Sequence, residues 1–137
     1  MKILIIDAQG GGLGRELIQN LKTKFQGIEL IAVGTNSMAT SNMIKAGAKF
    51  GATGENAVIV NSKTADLILG PVGILFANSM LGEITPKMAE AVNISGAKKI
   101  LIPFFHDDNI IVGIEDYSMK NLIKLAMDEV EKFYKNA

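Results

Sequence analysis

A glycine-rich segment follows the first apolar run of the chain. Residues 3–6 are all apolar, Asp7 ends the run, and Gly10-Gly11-Gly12-Leu13-Gly14 comes directly after Gln9. A ligand can approach a glycine backbone closely, because no side chain intervenes. If a helix begins here, its free N–H groups and the positive end of its dipole favour an anion. The alternative is a tight turn whose glycines only let the helix pack against a sheet. The residues that we predict to bind a phosphate-bearing ligand are Gln9, Gly10, Gly11, Gly12, Leu13 and Gly14.

The spacing of these glycines departs from the standard nucleotide motifs. The dinucleotide fingerprint G-x-G-x-x-G needs a third glycine at position 15 or 17, where the chain has Arg15 and Leu17. The phosphate-loop motif needs a Lys-Ser/Thr pair, which does not follow Gly14. The T-G-x-x-x-G-x-G pattern of short-chain dehydrogenases fits Gly12-Leu13-Gly14 better, but Asp7-Ala8 replaces Thr-Gly and their Tyr-x-x-x-Lys pair is missing. The segment predicts an anion site and leaves its cofactor open, with a nucleotide as the candidate.

The end of the second predicted strand is the other place where a nucleotide domain binds its ligand. NAD-binding domains have an acid there that bonds the ribose hydroxyls. This chain has Gly34-Thr35-Asn36, without an acid and without an arginine for a 2′-phosphate. Thr35 and Asn36 can hydrogen-bond a ribose or a base, so we predict them as ligand contacts. The alternative is that Asn36 only caps the next helix.

Three further polar positions are candidates for proton transfer. His106 is the only histidine and precedes two aspartates, which suits a general base, a partial metal site or simply a polar turn. Glu55 and Glu83 lie beside small and apolar residues, where either of them could touch a ligand or simply favour a helix start. The chain has no cysteine, and we predict no metal site.

The hydrophobic pattern predicts an α/β fold. Apolar runs alternate with amphipathic helices, as in a parallel sheet covered on both faces. Thr85, Pro86 and Gly96 mark the start and end of one helix, and another is capped by Asn36 or Ser37 and ends at Gly47. We predict a three-layer Rossmann-like or flavodoxin-like domain over 1–137 with strand order 2-1-3-4-5, the alternative being 3-2-1-4-5. The predicted strands are Ile3–Ile6, Ile28–Val33, Asp66–Leu69, Lys98–Pro103 and Ile110–Ile114. About six residues separate the last two strands, which is too few for a parallel crossover, so the last strand should be antiparallel.

Composition limits the partners that the chain can have. Its 14 basic and 14 acidic residues balance, which argues against nucleic-acid binding. The apolar stretch from Leu67 to Leu81 is shorter than the roughly 20 residues of a membrane helix. We therefore predict a cytoplasmic protein without a membrane partner. The apolar run from Val72 to Leu81 predicts a homodimer face.

Several strings of the chain together resemble a family of short bacterial proteins classed as a domain of unknown function. The resemblance covers nearly the whole length and implies a small Rossmann-like fold, without implying an activity. It supports the glycine segment and residues 53–56 as a site. The strings are Ile6-Asp7-Ala8-Gln9-Gly10-Gly11-Gly12-Leu13-Gly14, Gly34-Thr35-Asn36, Gly51-Ala52-Thr53-Gly54-Glu55-Asn56, Gly82-Glu83-Ile84-Thr85-Pro86-Lys87-Met88 and Ile100-Leu101-Ile102-Pro103.

Three functions remain open at this stage. The first is a small protein that binds a nucleotide or another phosphate-bearing molecule at Gly10–Gly14, with Arg15 adding charge at the rim. The second is an enzyme acting on a small phosphorylated or amide metabolite, with Glu55, Glu83 or His106 transferring protons. The third is a homodimeric structural or interaction module.

Overall fold

The chain folds around a five-stranded parallel sheet. The computed structural model describes residues 1–103 and 109–136. The order of the strands in the sheet is β3-β2-β1-β4-β5, and every neighbouring pair is parallel. The strands are β1 (Lys2–Asp7), β2 (Glu29–Gly34), β3 (Phe50–Thr53), β4 (Leu67–Pro71) and β5 (Lys98–Ile102). The helices are α1 (Gly12–Lys24), α2 (Ser37–Ala46), α3 (Glu55–Ser62), α4 (Pro86–Ile94) and α5 (Met119–Lys135).

The apolar runs become the centre of the sheet. Ile3 of β1 lies opposite Leu30 of β2 on one side and Leu67 of β4 on the other. Residues 3–6 are at most 1% exposed, as expected for a parallel strand covered on both faces. β1 ends at Asp7, so the glycine segment begins at the carboxyl end of this central strand.

Helices cover both faces of the sheet and make three layers. Ile3 and Ile5 pack with the buried residues of α1, α2 and α5. Leu4 and Ile6 point to the opposite face, where α3, α4 and a 3-10 helix at Val72–Leu75 pack. The alternation follows from the two-residue period of a strand. Within the described ranges, no helix is both long enough and apolar enough to cross a lipid bilayer.

The helix starts are those that the sequence predicts. The Asn36 side chain accepts a hydrogen bond from the N–H of Ala39 at 2.9 Å and begins α2. The Thr85 hydroxyl accepts one from the N–H of Met88 at 3.1 Å, with Pro86 in the first turn of α4. Each cap satisfies a helix N–H group that has no partner inside the helix.

Two details of the predicted sheet are wrong. The described part of the sheet contains no antiparallel strand, and residues 110–114 form no strand in it. The predicted order 2-1-3-4-5 is also wrong, because it omits Phe50–Thr53, which forms the edge strand β3. The alternative 3-2-1-4-5 has the observed numerals, but it took Asp66–Leu69 as the third strand. Phe50 is 53% exposed, so β3 has little of the buried apolar pattern that reveals a strand.

Candidate functional site

The glycine segment forms the connection from β1 to α1 at the carboxyl edge of the sheet. Gln9 and Gly11 have positive φ angles of 53° and 72°, and Gly11 is the residue before the first turn of α1. The N–H of Gly11 donates to the carbonyl of Ala8 at 3.0 Å, and the N–H of Arg15 donates to the carbonyl of Gly11 at 2.9 Å. The chain therefore turns sharply within about four residues between the end of β1 and the start of α1.

The glycines of the turn fall into two groups. A Cβ on Gly11 would come within 2.8 Å of the Ala39 backbone, and one on Gly14 would meet the Met43 side chain. These two glycines are explained by the close packing of α2. Gly10 and Gly12 have ordinary φ angles, and a Cβ on either would meet nothing within 4 Å. Neither backbone strain nor packing therefore requires glycine at these two positions.

The Asp7 carboxylate holds the turn from below. One of its oxygens accepts from the N–H of Ala8 at 2.8 Å, and the other accepts from the N–H of Gly14 at 2.7 Å. Burial is the main cause that raises the pKa of Asp7; its two hydrogen bonds oppose this rise, and the negative charge of Glu83 adds to it. One of the N–H groups at the start of α1, that of Gly14, therefore already donates to a carboxylate of the protein itself. In the described part of the chain, the N–H groups of Gly10, Gly12 and Leu13 donate to no protein atom.

Glu83 joins three loops at the same edge of the sheet. Its Oε1 atom accepts from the Thr35 hydroxyl at 2.6 Å, from the Asn36 amide at 2.9 Å and from the N–H of Gln9 at 2.9 Å. The bond from Thr35 is the largest cause that lowers the pKa of Glu83. A carboxylate therefore lies at the end of β2, although the residues that follow β2 in the chain include no acid.

The segment that carries Glu83, residues 76–84, has an unusual backbone. Asn78, Met80 and Leu81 have positive φ angles of 67°, 57° and 59°, in a region that side chains other than glycine rarely adopt. Its ends are fixed by a 2.7 Å bond from the N–H of Asn78 to the carbonyl of Ile84 and by full burial of Ile84. We call this segment the Glu83 loop.

The remaining predicted site residues are placed as follows. Asn36 both caps α2 and touches the turn, since its side-chain amide also donates to the Gln9 carbonyl at 2.9 Å. The guanidinium of Arg15 is half exposed and lies 3.7 Å from the Glu16 carboxylate. Glu55 is the first residue of α3, and His106 lies outside the described residues. In the described ranges, no three His, Asp or Glu side chains come together to hold a metal.

The predicted run from Val72 to Leu81 does not form a continuous apolar surface. Gly73, Ile74 and Ser79 are buried within the same chain, and the Ser79 hydroxyl donates to the Gly73 carbonyl. Ala77, Asn78 and Leu81 are exposed, Leu81 to 97%, and the remaining residues of the run are half-buried. The run is therefore partly buried within the chain and partly accessible to a partner.

The site offers two kinds of polar group to a ligand. The free N–H groups at the start of α1 are hydrogen-bond donors and suit anionic oxygens. The Glu83 carboxylate accepts hydrogen bonds, so it suits hydroxyl or amino groups of a ligand. In an open parallel sheet, the crevice where the strand order reverses is the usual ligand site. In this sheet that crevice lies between the ends of β1 and β4.

Comparison with known proteins gives a family and a fold. Residues 2–135 match the profile of a family described as a domain of unknown function, DUF3842. The chain belongs to this family. No curated protein matches the chain in sequence.

One solved structure similar to this DUF3842 chain is a dodecameric FMN-dependent UbiX-like decarboxylase from Escherichia coli O157:H7. It superposes with a TM-score of 0.50 at 20% sequence identity, over 94% of this chain and 75% of that protein. The similarity supports an α/β fold of the Rossmann or flavodoxin type. The family profile confirms the resemblance that the sequence predicts, and the structural similarity confirms the α/β fold class.

Proposed function

We propose that this DUF3842 protein binds a nucleotide or another small molecule that carries a phosphate, with the phosphate over the turn at Gly10–Gly14. The open space above Gly10 and Gly12 carries this proposal. Backbone strain and packing do not explain glycine at these two positions, but close contact between a ligand and the backbone would.

The donors of the turn fit one phosphate group. The N–H groups of Gly10, Gly12 and Leu13 belong to consecutive or nearly consecutive residues and have no protein acceptor in the described ranges. Gly12 and Leu13 are the first two residues of a helix of 13 residues, whose dipole adds positive potential at the same place. Thr35 and Asn36 border the turn through Glu83 and Gln9, so they remain in the proposed site.

Two carboxylates oppose an anion at this position. Asp7 and Glu83 both lie against the turn, and Arg15, the cation nearest to it in the chain, has Glu16 beside it. The raised pKa of Asp7 reduces this cost, because a buried acid accepts a proton more readily when a second negative charge arrives. The ligand therefore binds by directed hydrogen bonds rather than by a basic pocket.

FMN is one molecule with the required groups. It carries one phosphate and a chain of hydroxyl groups, which match the amide donors of the turn and the Glu83 carboxylate. The similar structure supports its inclusion among the ligands to be tested, since that protein is FMN-dependent.

Calorimetric titration tests the proposal. The ligands are FMN, NAD⁺, AMP and inorganic phosphate, and at least one should bind more tightly than about 1 mM, or roughly −4 kcal/mol. If none does, the turn is only a packing device and the proposal fails.

The variant Gly12→Ala distinguishes a ligand contact from a structural glycine. Its methyl group meets no protein atom, and alanine suits a helix better than glycine, so the melting temperature should stay or rise. Affinity should fall about tenfold, or roughly 1.4 kcal/mol, because the methyl group separates the ligand from the backbone. The control is Gly96→Ala, which is equally unobstructed and has no positive φ but precedes β5 at the opposite edge. Unchanged ligand affinity in Gly12→Ala would contradict the proposed contact.

An enzyme remains the second candidate, and one observation favours it. Of the two acid-base candidates among the described residues, Glu55 and Glu83, it is Glu83 that bonds to the glycine turn. Its lowered pKa makes it a poor proton carrier near neutral pH, where effective general acids and bases titrate. Glu83 is therefore better suited to orient a substrate than to transfer its proton.

A further inference from the structure

The Glu83 loop gives this chain a feature that the residues after β2 lack. In dinucleotide domains, an acid at the end of the second strand bonds the ribose hydroxyls, whereas an arginine there accommodates a 2′-phosphate. Here the acid comes from the connection between β4 and α4 and reaches Thr35 and Asn36 across the sheet edge. The location of the carboxylate in space, and not its position along the chain, determines which ligand atoms it can contact.

The Glu83 carboxylate is held in a fixed orientation with one oxygen unused. All three of its hydrogen bonds end on Oε1, and the donors come from two different loops. Among the described residues, none donates to Oε2. The side chain is partly exposed, so this second oxygen can accept hydrogen bonds from a ligand. Because three donors already orient the group, little side-chain entropy is lost when the ligand binds.

The surroundings of Glu83 disfavour a second phosphate. Asp7 lies close enough for its pKa to be raised by the Glu83 charge. Residues 34–40, which surround the end of β2, include no lysine or arginine. A phosphate on the ribose would meet the Glu83 carboxylate, which forms no salt bridge with a described residue, whereas an unsubstituted hydroxyl would donate to it.

From these contacts we propose that Glu83 accepts hydrogen bonds from the free ribose hydroxyls of a nucleotide and selects against a ribose that carries a phosphate. The inference rests on the proposed function, since it assumes that the nucleotide phosphate lies over the glycine turn. It names Glu83 as the specificity-determining residue and the unsubstituted ribonucleotide as the ligand class.

The test compares NAD⁺ with NADP⁺, which differ only in the 2′-phosphate. Calorimetry on the full chain should show NAD⁺ binding at least about tenfold more tightly, the factor expected from one charge-assisted hydrogen bond. In Glu83→Gln the side-chain oxygen still accepts from Thr35, Asn36 and Gln9, so the loop should stay in place. The preference should then fall to within about threefold, because the charge that repels the 2′-phosphate is gone. The control Glu90→Gln removes the same charge from an exposed position on α4 and should keep the preference.

Each outcome bears on a defined claim. Equal binding of NAD⁺ and NADP⁺ to the wild type overturns the role of Glu83 and leaves the phosphate site intact. If FMN or inorganic phosphate binds but neither dinucleotide does, the role of Glu83 is likewise overturned and the phosphate site is likewise retained. A preference that survives in Glu83→Gln assigns the selection to another group and overturns the inference. If no ligand binds at all, the proposed function and this inference both fail.

Discussion

At the scale of single residues, the two carboxylates of the site are opposites. Asp7 is buried and has a raised pKa, whereas Glu83 is partly exposed and has a lowered pKa because hydroxyl and amide groups donate to it. At the same edge of the sheet, the fold therefore disfavours the charged form of Asp7 and favours the charged form of Glu83. Their pH dependences must therefore have opposite signs.

Glu83 should contribute to stability above its unfolded pKa of about 4.5 and lose that contribution as pH falls through its lower folded value. Urea unfolding between about pH 3 and 7 measures the effect. The Glu83→Gln variant should lose less stability on acidification than the wild type, since its amide does not titrate. Equal losses in the two proteins would show that the bonds to Thr35, Asn36 and Gln9 do not favour the charged form.

Asp7 should make anion binding depend on pH. Sulfate is a suitable probe, because its charge stays constant over the relevant range. Its affinity should rise as pH falls through the raised pKa of Asp7, because the neutral acid no longer repels the anion. In Asp7→Asn the affinity should vary less with pH over the same interval. A wild type whose sulfate affinity is independent of pH would place the anion away from Asp7.

At the scale of elements, the connection from β1 to α1 is built against α2. Gly11 combines a φ of 72° with a backbone neighbour, Ala39, at 2.8 Å from an added Cβ. The two constraints act together, because relief of the contact would require α2 to move away from the turn. Gly11 is therefore a structural glycine, in contrast to Gly12.

The substitution Gly11→Ala should destabilise the protein by about 2–5 kcal/mol, the sum of a left-handed alanine and an overpacked contact. Urea denaturation gives the free energy of unfolding, and Gly12→Ala serves as the comparison in the same turn. A loss below about 0.5 kcal/mol, the usual scatter of surface substitutions, would mean that the turn adapts easily.

The sequence predicts the central elements well and the edges poorly. β1, β2, β4 and β5 follow from buried apolar runs, and α2 and α4 follow from their caps. β3 escapes prediction because three of its four residues are exposed and its pairing with β2 is non-local. The run from Ile110 to Ile114 misleads for the opposite reason, since Ile110 and Val112 are apolar yet 92% and 86% exposed. An apolar pattern predicts a strand only where the fold buries it.

The site is likewise predicted in part. The glycine segment and Thr35-Asn36 can be recognised from local motifs, and the structure brings them to one edge. The role of Glu83 cannot be recognised in this way, because 48 positions separate it from Thr35. Glu83 reaches the site through a loop in which residues other than glycine have positive φ angles. The sequence of this loop therefore contains no glycine or proline that would indicate a turn before Gly82.

At the scale of the whole molecule, α5 completes, with α1 and α2, the layer that covers one face of the sheet. Its residues Leu122, Ile123, Ala126, Met127 and Val130 are buried in the same cluster as Ile3 and Ile5. Ring contact of Tyr134 with Phe25 joins the end of α5 to the end of α1. This helix therefore contributes to the stability of the sheet that presents the site, although it lies on one face rather than at the carboxyl edge.

Two leucines on α5 measure this contribution with the same substitution. Leu122 is 4% exposed and Leu125 is 50% exposed. Leu122→Ala should cost about 2–5 kcal/mol of unfolding free energy through the cavity that it leaves, whereas Leu125→Ala should cost less than about 1 kcal/mol because its side chain is only half buried. Both substitutions change the helix propensity by the same amount, so the difference in unfolding free energy between the two variants measures the effect of burial alone. Similar losses at both positions would contradict the packing of α5 described above.

The bond from the Gln9 N–H to Glu83 has a consequence for how the site can be observed. A backbone amide is protected from hydrogen exchange only while its acceptor is in place, and here the acceptor is a side chain from another loop. The exchange rate of this single amide therefore reports how often residues 76–84 leave the sheet edge. A ligand that binds the Glu83 carboxylate would slow that exchange, even if it made no contact with Gln9.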